Sequence, residues 1–212
     1  MTDFLYPFIE ADERDAAPLL ADLASSADAK AAESLALRAA TLESCGPELL
    51  RTGAAMAERF RRGGRLFAFG NGGSATDATG VAALYRRPPW GQALPARSLV
   101  ADQAVLTALG NDVGFELVFS RQLIAHGRPE DIAFGTSTSG NSVNLLNAFG
   151  EGRRLGMLTV GMAGYDGGQM AGGGLDHCLV VSADSVHRIQ ETESAMMFEL
   201  WSAVQTALAT AP

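Results

Sequence analysis

A chain of 212 residues, 47% apolar and 19% charged with 24 glycines, can bury one α/β core and is too short for two comfortable domains. Its formal charge of −8 argues against a direct nucleic-acid surface, because phosphate backbones are held by clustered Lys and Arg. The single lysine, Lys30, lies in no Gly-x-x-x-x-Gly-Lys sequence, which excludes a nucleoside triphosphate P-loop.

From Ala11 to Ala57 alanine, leucine and glutamate dominate, and Leu19, Leu20, Leu23, Leu35, Leu37 and Leu42 recur at helical spacing, which predicts two or three helices. The first 45 residues carry nine acidic and three basic side chains, the pattern of a solvated face or of an arm packed on another subunit. Arg65 to Phe69 is a short apolar run that breaks into Gly70-Asn71-Gly72-Gly73-Ser74, with a helix expected over Ala75 to Tyr85. Strand, glycine turn and helix start make a phosphate-binding arrangement: glycine lets the backbone approach an anion, and the first N–H groups of the helix, with the Ser74 hydroxyl, donate. The same sequence serves packing alone in many α/β proteins.

Arg86-Arg87-Pro88-Pro89-Trp90-Gly91 forces a loop, whose arginines either close over a sugar phosphate or are solvated. Ala96 to Val100 reads as the second strand, Ala104 to Leu109 as a short helix ending at the polar turn Gly110-Asn111-Asp112, and Phe115 to Ile124 as an amphipathic segment. Asp131 to Phe134 is the third strand. It leads to Gly135-Thr136-Ser137-Thr138-Ser139-Gly140-Asn141-Ser142 and a helix over Val143 to Arg154, a second cradle whose hydroxyls give uncharged donors at a helix N-terminus. Leu155 to Gly161 and Cys178 to Ser182 read as the last two strands, Gly164 to Gly174 as loop, and Ser185 to Ala209 as a long helix with Ile189, Met196, Met197, Leu200, Trp201 and Val204 on its core face. Strands alternating with helices require a parallel sheet covered on both sides, with ligands at the carboxyl ends of the strands, where both cradles fall.

Two cysteines, Cys45 and Cys178, make neither a disulfide framework nor a metal knot. No apolar run has the length of a membrane helix, and the start Met1-Thr2-Asp3 lacks a basic leader, so a cytoplasmic protein without membrane contact is expected.

Five motifs in order, Gly70-Asn71-Gly72-Gly73-Ser74, Gly110-Asn111-Asp112 with Gly114-Phe115, Ser137-Thr138-Ser139-Gly140-Asn141-Ser142, Gly164-Tyr165-Asp166-Gly167-Gly168 and Arg188-Ile189-Gln190-Glu191, resemble the sedoheptulose 7-phosphate isomerase (phosphoheptose isomerase) family of the sugar isomerase, or SIS, superfamily. The resemblance runs from about Leu35 to about Ala207. It implies an α/β three-layer sandwich around a five-stranded parallel sheet (35–212), a helical arm (1–34) and a homotetramer or homodimer. It implies a phosphorylated sugar held by Asn71, Gly72, Gly73, Ser74, Asn111, Asp112, Ser137, Thr138, Ser139, Ser142 and Gln190.

The active members carry a metal-binding and acid/base set in the pattern Asn-Gly-Gly-Ser-x-x-Asp-Ala-x-His-Phe-Ala-x-Glu, then Arg-Ile-Gln-Glu with a His eight residues beyond the Gln. This chain keeps Asp77, Ala78 and Gln190 but has Gly80, Leu84 and Phe198 where His, Glu and His are expected, and none of these can ligate zinc or move a proton. No cofactor or metal is therefore expected, and the expected roles are sensor or scaffold, with a protein partner as the companion reading. A resembling branch of the family with similar losses includes a protein that binds a replication initiator. The competing reading is an isomerase working through His187, Glu191 or a residue from a neighbouring subunit, with Gln190 kept from the family set, Glu193 on the same helix and His187 at its start, where an imidazole can act as base or merely flank the helix cap or a subunit contact. His126 and His177 are expected on surface loops away from both cradles.

Overall fold

A computed structural model describes residues 17–210. Five parallel strands, β1 Leu66–Gly70, β2 Ala96–Ser98, β3 Ile132–Ser137, β4 Leu158–Gly164 and β5 His177–Val181, form one sheet in the order β2-β1-β3-β4-β5. Between and around them run helices α1 Ala17–Arg61, α2 Gly73–Arg86, α3 Gln103–Asp112, α4 Val118–His126, α5 Val143–Arg154, α6 Gly168–Ala171 and α7 Val186–Thr210, with a 3-10 turn at Phe115–Leu117 before α4.

The period-2 alternation of the strands sends their side chains to two cores. Leu66, Ala68, Ile132, Phe134, Val160 and Met162 face one side, against α2, α7 and the carboxyl half of α1. Phe67, Phe69, Ala133 and Ala163 face the other, against α4 and α5. Three layers result. Near-continuous burial along β1, β3 and β4 is why these strands read as unbroken apolar or small-residue runs. The small residues are required: a side chain at Gly135 would meet the rings of Phe69 and Phe149, which pack with centroids 5.2 Å apart.

The chain divides by contacts after Ala36. Residues 17–36 are helical, with Leu19, Leu20 and Leu23 exposed and the Ser34 hydroxyl donating to the Lys30 carbonyl. From Leu37 onward lies the sheet with its helices. Instead of two or three helices, the described part of the 11–57 stretch is covered by the single helix α1; residues 11–16 lie outside the described residues. Pro47 stands inside it. An internal proline costs a helix about 3 kcal/mol, and here the turns that follow bury Leu49, Thr52, Met56, Ala57 and Phe60 at spacings of three and four, which offsets that cost.

Other boundaries shift by physical cause. Arg153 and Gly156 close α5 with a turn (Gly156 N–H to the Arg153 carbonyl, φ 79° at Gly156), so β4 starts at Leu158 and runs through Gly164. The third strand extends through Ser137, so Thr136 and Ser137 belong to the sheet and not to the turn. The glycine-rich 164–174 stretch holds the short helix α6. Asn111 and Asp112 complete the last turn of α3 in place of a polar turn. His177 is the first residue of β5 and pairs with Glu48 at 2.6 Å, not a free surface loop residue. Among the described residues no helix is long and apolar enough to cross a membrane.

At the amino end of the sheet Asp131, 1% exposed, accepts from the backbone N–H groups of Arg65 and Arg128 and from the Arg65 guanidinium at 2.7 and 3.2 Å. It thereby joins the starts of β1 and β3. Asp131→Ala leaves two backbone donors and a half-buried guanidinium without their acceptor and is expected to destabilise the fold by about 3 kcal/mol, measured by urea unfolding with the slope unchanged; a loss under about 0.5 kcal/mol would show that water replaces the carboxylate.

Candidate ligand site at the carboxyl ends of the strands

In the order β2-β1-β3-β4-β5, β1 and β3 are neighbours whose onward connections leave in opposite directions, and this reversal opens a crevice beyond their carboxyl ends. Both cradles lie there. β1 ends at Gly70, where a side chain would run into the Ser74 backbone, so only glycine admits the tight turn into α2. Asn71 stands at the turn and exchanges two amide hydrogen bonds with Asn144 in the first turn of α5: Asn71 Nδ2 donates to Asn144 Oδ1 (2.9 Å), and Asn144 Nδ2 to Asn71 Oδ1 (3.0 Å). The two cradles are thus fixed to each other through side chains.

In the second cradle the Ser137 hydroxyl lies 3.1 Å from that of Ser142 and 3.5 Å from that of Ser139. Ser142 is the residue before α5 and its side chain makes no capping bond; its hydroxyl lies against Ser137, its carbonyl accepts from the Leu145 and Leu146 N–H groups, and the Val143 and Asn144 N–H groups are left for an acceptor. Gly140, at φ 62°, packs its α-carbon against the Gly167 carbonyl, and Asn141 Oδ1 accepts from the Gln169 N–H at 3.0 Å. The Gly164–Gly168 segment is therefore the outer wall of this cradle. Tyr165 within it is left-handed at φ 52°, the only non-glycine residue of that kind among the described residues.

Beside the glycine cradle, a cleft of about 380 Å³ lies between the starts of α2 and α7, lined by Gly73, Thr76, Asp77, His187, Gln190, Glu191 and Ser194. The Gln190 amide fills the place of a Gly73 side chain. Asp77 accepts from the Ser194 hydroxyl at 3.1 Å, and partial burial raises its pKa despite that bond. Glu191 pairs with Arg188 at 2.6 Å.

The structure thus brings His187, Gln190, Glu191 and Gly73 to one cleft, and Ser137, Ser139 and Ser142 to one point, with Asn71 joining the two loops. Gly72, at φ 57°, precedes α2 in the open turn. Ser74 is 3% exposed in the first turn of α2. Thr138 contributes its carbonyl, which accepts from the Gly164 N–H, and shows no hydroxyl bond to the serines. Asn111 donates to Asp112 at 2.8 Å on α3, which packs on α4 and the 3-10 turn, and neither bonds to a cradle. Arg86 is the last residue of α2, at the opposite end of that helix from the cradle, so it does not close over a ligand there.

One residue that the sequence named only in passing is central to this geometry. Glu193 on α7 is completely buried, and neither carboxylate oxygen has a hydrogen-bond partner. Thr136, buried in β3 and also without a completed hydrogen bond, is the neighbouring hydroxyl that draws its pKa back; burial and the Asp77 charge outweigh it and push Glu193 up to about 8. Gly80 is exposed, Leu84 packs at the edge of the first core, and Phe198 lies 5.1 Å from Trp201. Among the described residues no three His, Cys, Asp or Glu side chains are grouped to hold a metal ion.

A doubly wound parallel sheet whose two hydroxyl- and glycine-containing turns meet at its reversal point defines a three-layer α/β domain with a crevice at the carboxyl ends of its strands. The SIS domain model matches residues 31–164. The chain is 40% identical over 179 residues to the phosphoheptose isomerase of Roseiflexus sp. (strain RS-1), covering 82% of this chain and 89% of that one. It is 39% identical over 173 residues to the phosphoheptose isomerase of Rhodospirillum rubrum, covering 79% and 89%. The solved structure of phosphoheptose isomerase GmhA from Neisseria gonorrhoeae superposes with a TM-score of 0.81 at 33% identity, over 87% of this chain and 99% of that one. The chain belongs to the phosphoheptose isomerase family of SIS-domain proteins.

The buried Glu193 gives a signed pH dependence. A carboxyl whose folded pKa lies above its unfolded value of 4.5 keeps its proton in the native state while the unfolded chain loses it, so stability is greatest below about pH 4.5 and falls as pH rises to about 8. Glu193→Gln should remove that slope and raise the Tm at pH 7.5, measured by thermal melts from pH 5 to 8.5; an unchanged slope and a lowered Tm would mean that the carboxylate is ionised and partnered.

Proposed function

We propose that this protein binds a phosphorylated sugar across the two cradles and has lost the zinc-dependent isomerase site of its family, acting as a sensor or scaffold. The observation that carries the first part is the convergence of the Ser137, Ser139 and Ser142 hydroxyls at the N-terminus of α5, beside the Val143 and Asn144 N–H groups that begin the helix. Relatives named phosphoheptose isomerase support a phosphoheptose as the ligand class. The second part rests on donor chemistry. Gly80, Leu84 and Phe198 stand where the family resemblance puts two His and a Glu, and offer neither a lone pair to a metal nor a titratable proton. The residues present do not fit zinc. In the same reading residues 1–34 are an assembly arm, 35–212 bind the ligand, the chain forms a homo-oligomer, and a protein partner receives the signal.

The second reading, an isomerase without the family's metal set, is favoured by one observation: His187, Gln190 and Glu191 line a single cleft with Asp77 beside the glycine cradle. An aldose-ketose interconversion needs a base for the carbon-bound proton and a group that relays charge at the oxygens, and such side chains are of the right kind.

Turnover of sedoheptulose 7-phosphate with and without added zinc separates the two. The binding-protein reading expects no turnover above background in either arm, no stoichiometric zinc by elemental analysis and no effect of chelators on the Tm; family-level turnover, or one zinc per chain, contradicts it. For the phosphate cradle, Ser139→Ala combined with Ser142→Ala should weaken phosphosugar binding by about tenfold or more, since each charge-assisted hydrogen bond contributes roughly 1.5 to 3 kcal/mol, while the melting curve stays in place. Undiminished affinity in titration calorimetry would assign the serines a structural role only.

A further inference from the structure

The amino end of the sheet, opposite both cradles, carries a cavity of about 230 Å³ lined by Arg65, Phe67, Arg86, Pro95, Arg97 and His126, with Ala96 in its wall. The topology explains the gathering. Arg65 and Phe67 are two residues apart and share one face of the sheet, and Arg97 is the direct cross-strand neighbour of Phe67 on the edge strand β2. Arg86 reaches the same place from the carboxyl end of α2, where its charge also suits the helix dipole. The backbone around it is held in place: the Leu66 N–H donates to the Pro95 carbonyl at 2.9 Å, and the Leu94 N–H to the Tyr85 carbonyl at 2.8 Å.

Three guanidinium groups around one cavity, in a chain of net charge −8, call for an anion. Asp131 answers only Arg65, which it grips on the Nε and Nη2 edge, while the guanidinium carbon of Arg65 sits 5.1 Å from the centre of the Phe67 ring. Arg86 and Arg97 are exposed, and among the described residues neither guanidinium has an ion pair or hydrogen bond. No carboxylate lines the cavity.

We propose that this cavity is a second anion site, which takes the phosphate or diphosphate group of a small phosphorylated molecule in the forks of Arg86 and Arg97. Guanidinium forks match phosphate oxygens two at a time. The cavity falls below the roughly 300 to 1,000 Å³ of pockets that enclose a whole drug-sized ligand, so it seats the anionic group and leaves the body of the molecule outside. It is a different site from the sugar-phosphate crevice: the five residues of β1, at about 3.3 Å each, separate the two ends of the sheet by roughly 15 Å.

The test is titration of the full chain with pyrophosphate at 150 mM sodium chloride, a salt concentration that screens exposed charges beyond about 8 Å. Wild type and the Ser139→Ala, Ser142→Ala chain are both expected to bind it saturably with the same Kd at this site, and Arg86→Gln with Arg97→Gln to bind it at least about tenfold more weakly with an unchanged melting curve. Arg97→Gln alone, on an exposed edge position, should give part of the loss. Equal binding by wild type and the arginine variant, loss of all pyrophosphate binding in the serine variant, or no saturable binding by wild type each overturns the second site. Loss in the serine variant would place the pyrophosphate in the cradles, whereas phosphosugar binding there is read separately by titrating the serine variant with the phosphosugar.

Discussion

The reciprocal amide pair between Asn71 and Asn144 is the contact on which the site depends. It exists because β1 and β3 are neighbours while the helices after them leave in opposite directions, so the first turns of α2 and α5 diverge above the sheet. Without a bond across that gap, two glycine-containing turns would adjust independently. With both amides satisfied, each asparagine has one donor and one acceptor committed and the turns share one geometry. The glycines at 70 and 140 then bring backbone close to backbone on either side, and the serine hydroxyls are held with their oxygens facing a common point.

A second constraint runs beneath α7. Its core face holds Ile189, Met196, Met197, Leu200, Trp201 and Val204, and Glu193 interrupts that stripe with a buried carboxyl. An unpaired ionised carboxylate in such surroundings is strongly disfavoured, which is why burial drives Glu193 toward its neutral form at pH 7. Glu193 lies outside the lining of the cleft that Asp77 faces, so its buried carboxyl bears on how α7 packs and not on the cleft's surface.

How much of this could be read from the residues varies by element, for identifiable reasons. The cradles were legible because only glycine permits the close approaches at 70 and 140, and only hydroxyl-rich turns offer neutral donors at a helix start. The five strands were legible as apolar runs, but their ends were not: Leu155 to Gly161 is uniformly apolar or small, and the turn at Gly156 that delays β4 depends on how α5 closes. Pro47 fits inside α1 because the next three turns are buried, a tertiary effect that local propensity does not carry. Asn111 and Asp112 came with the family motif and not from spacing, and in this chain they pair with each other on α3. Glu193 left a readable signal, a carboxylate four residues after Ile189 on an apolar helix face, yet its weight comes from the β3 and α2 groups that meet it. For Arg86 the residues leave two readings, closing over a sugar phosphate or standing solvated in its loop, and the length of α2 decides by carrying it to the other end of the sheet.

The central claim, that the paired cradles read a phosphate on a sugar, is tested most directly by calorimetric titration of the unmodified chain with sedoheptulose 7-phosphate and with unphosphorylated sedoheptulose under the same conditions. The account predicts saturable binding of the phosphorylated sugar and none of the free sugar at the same concentrations. Equal affinity for the two, or binding of neither, would contradict it.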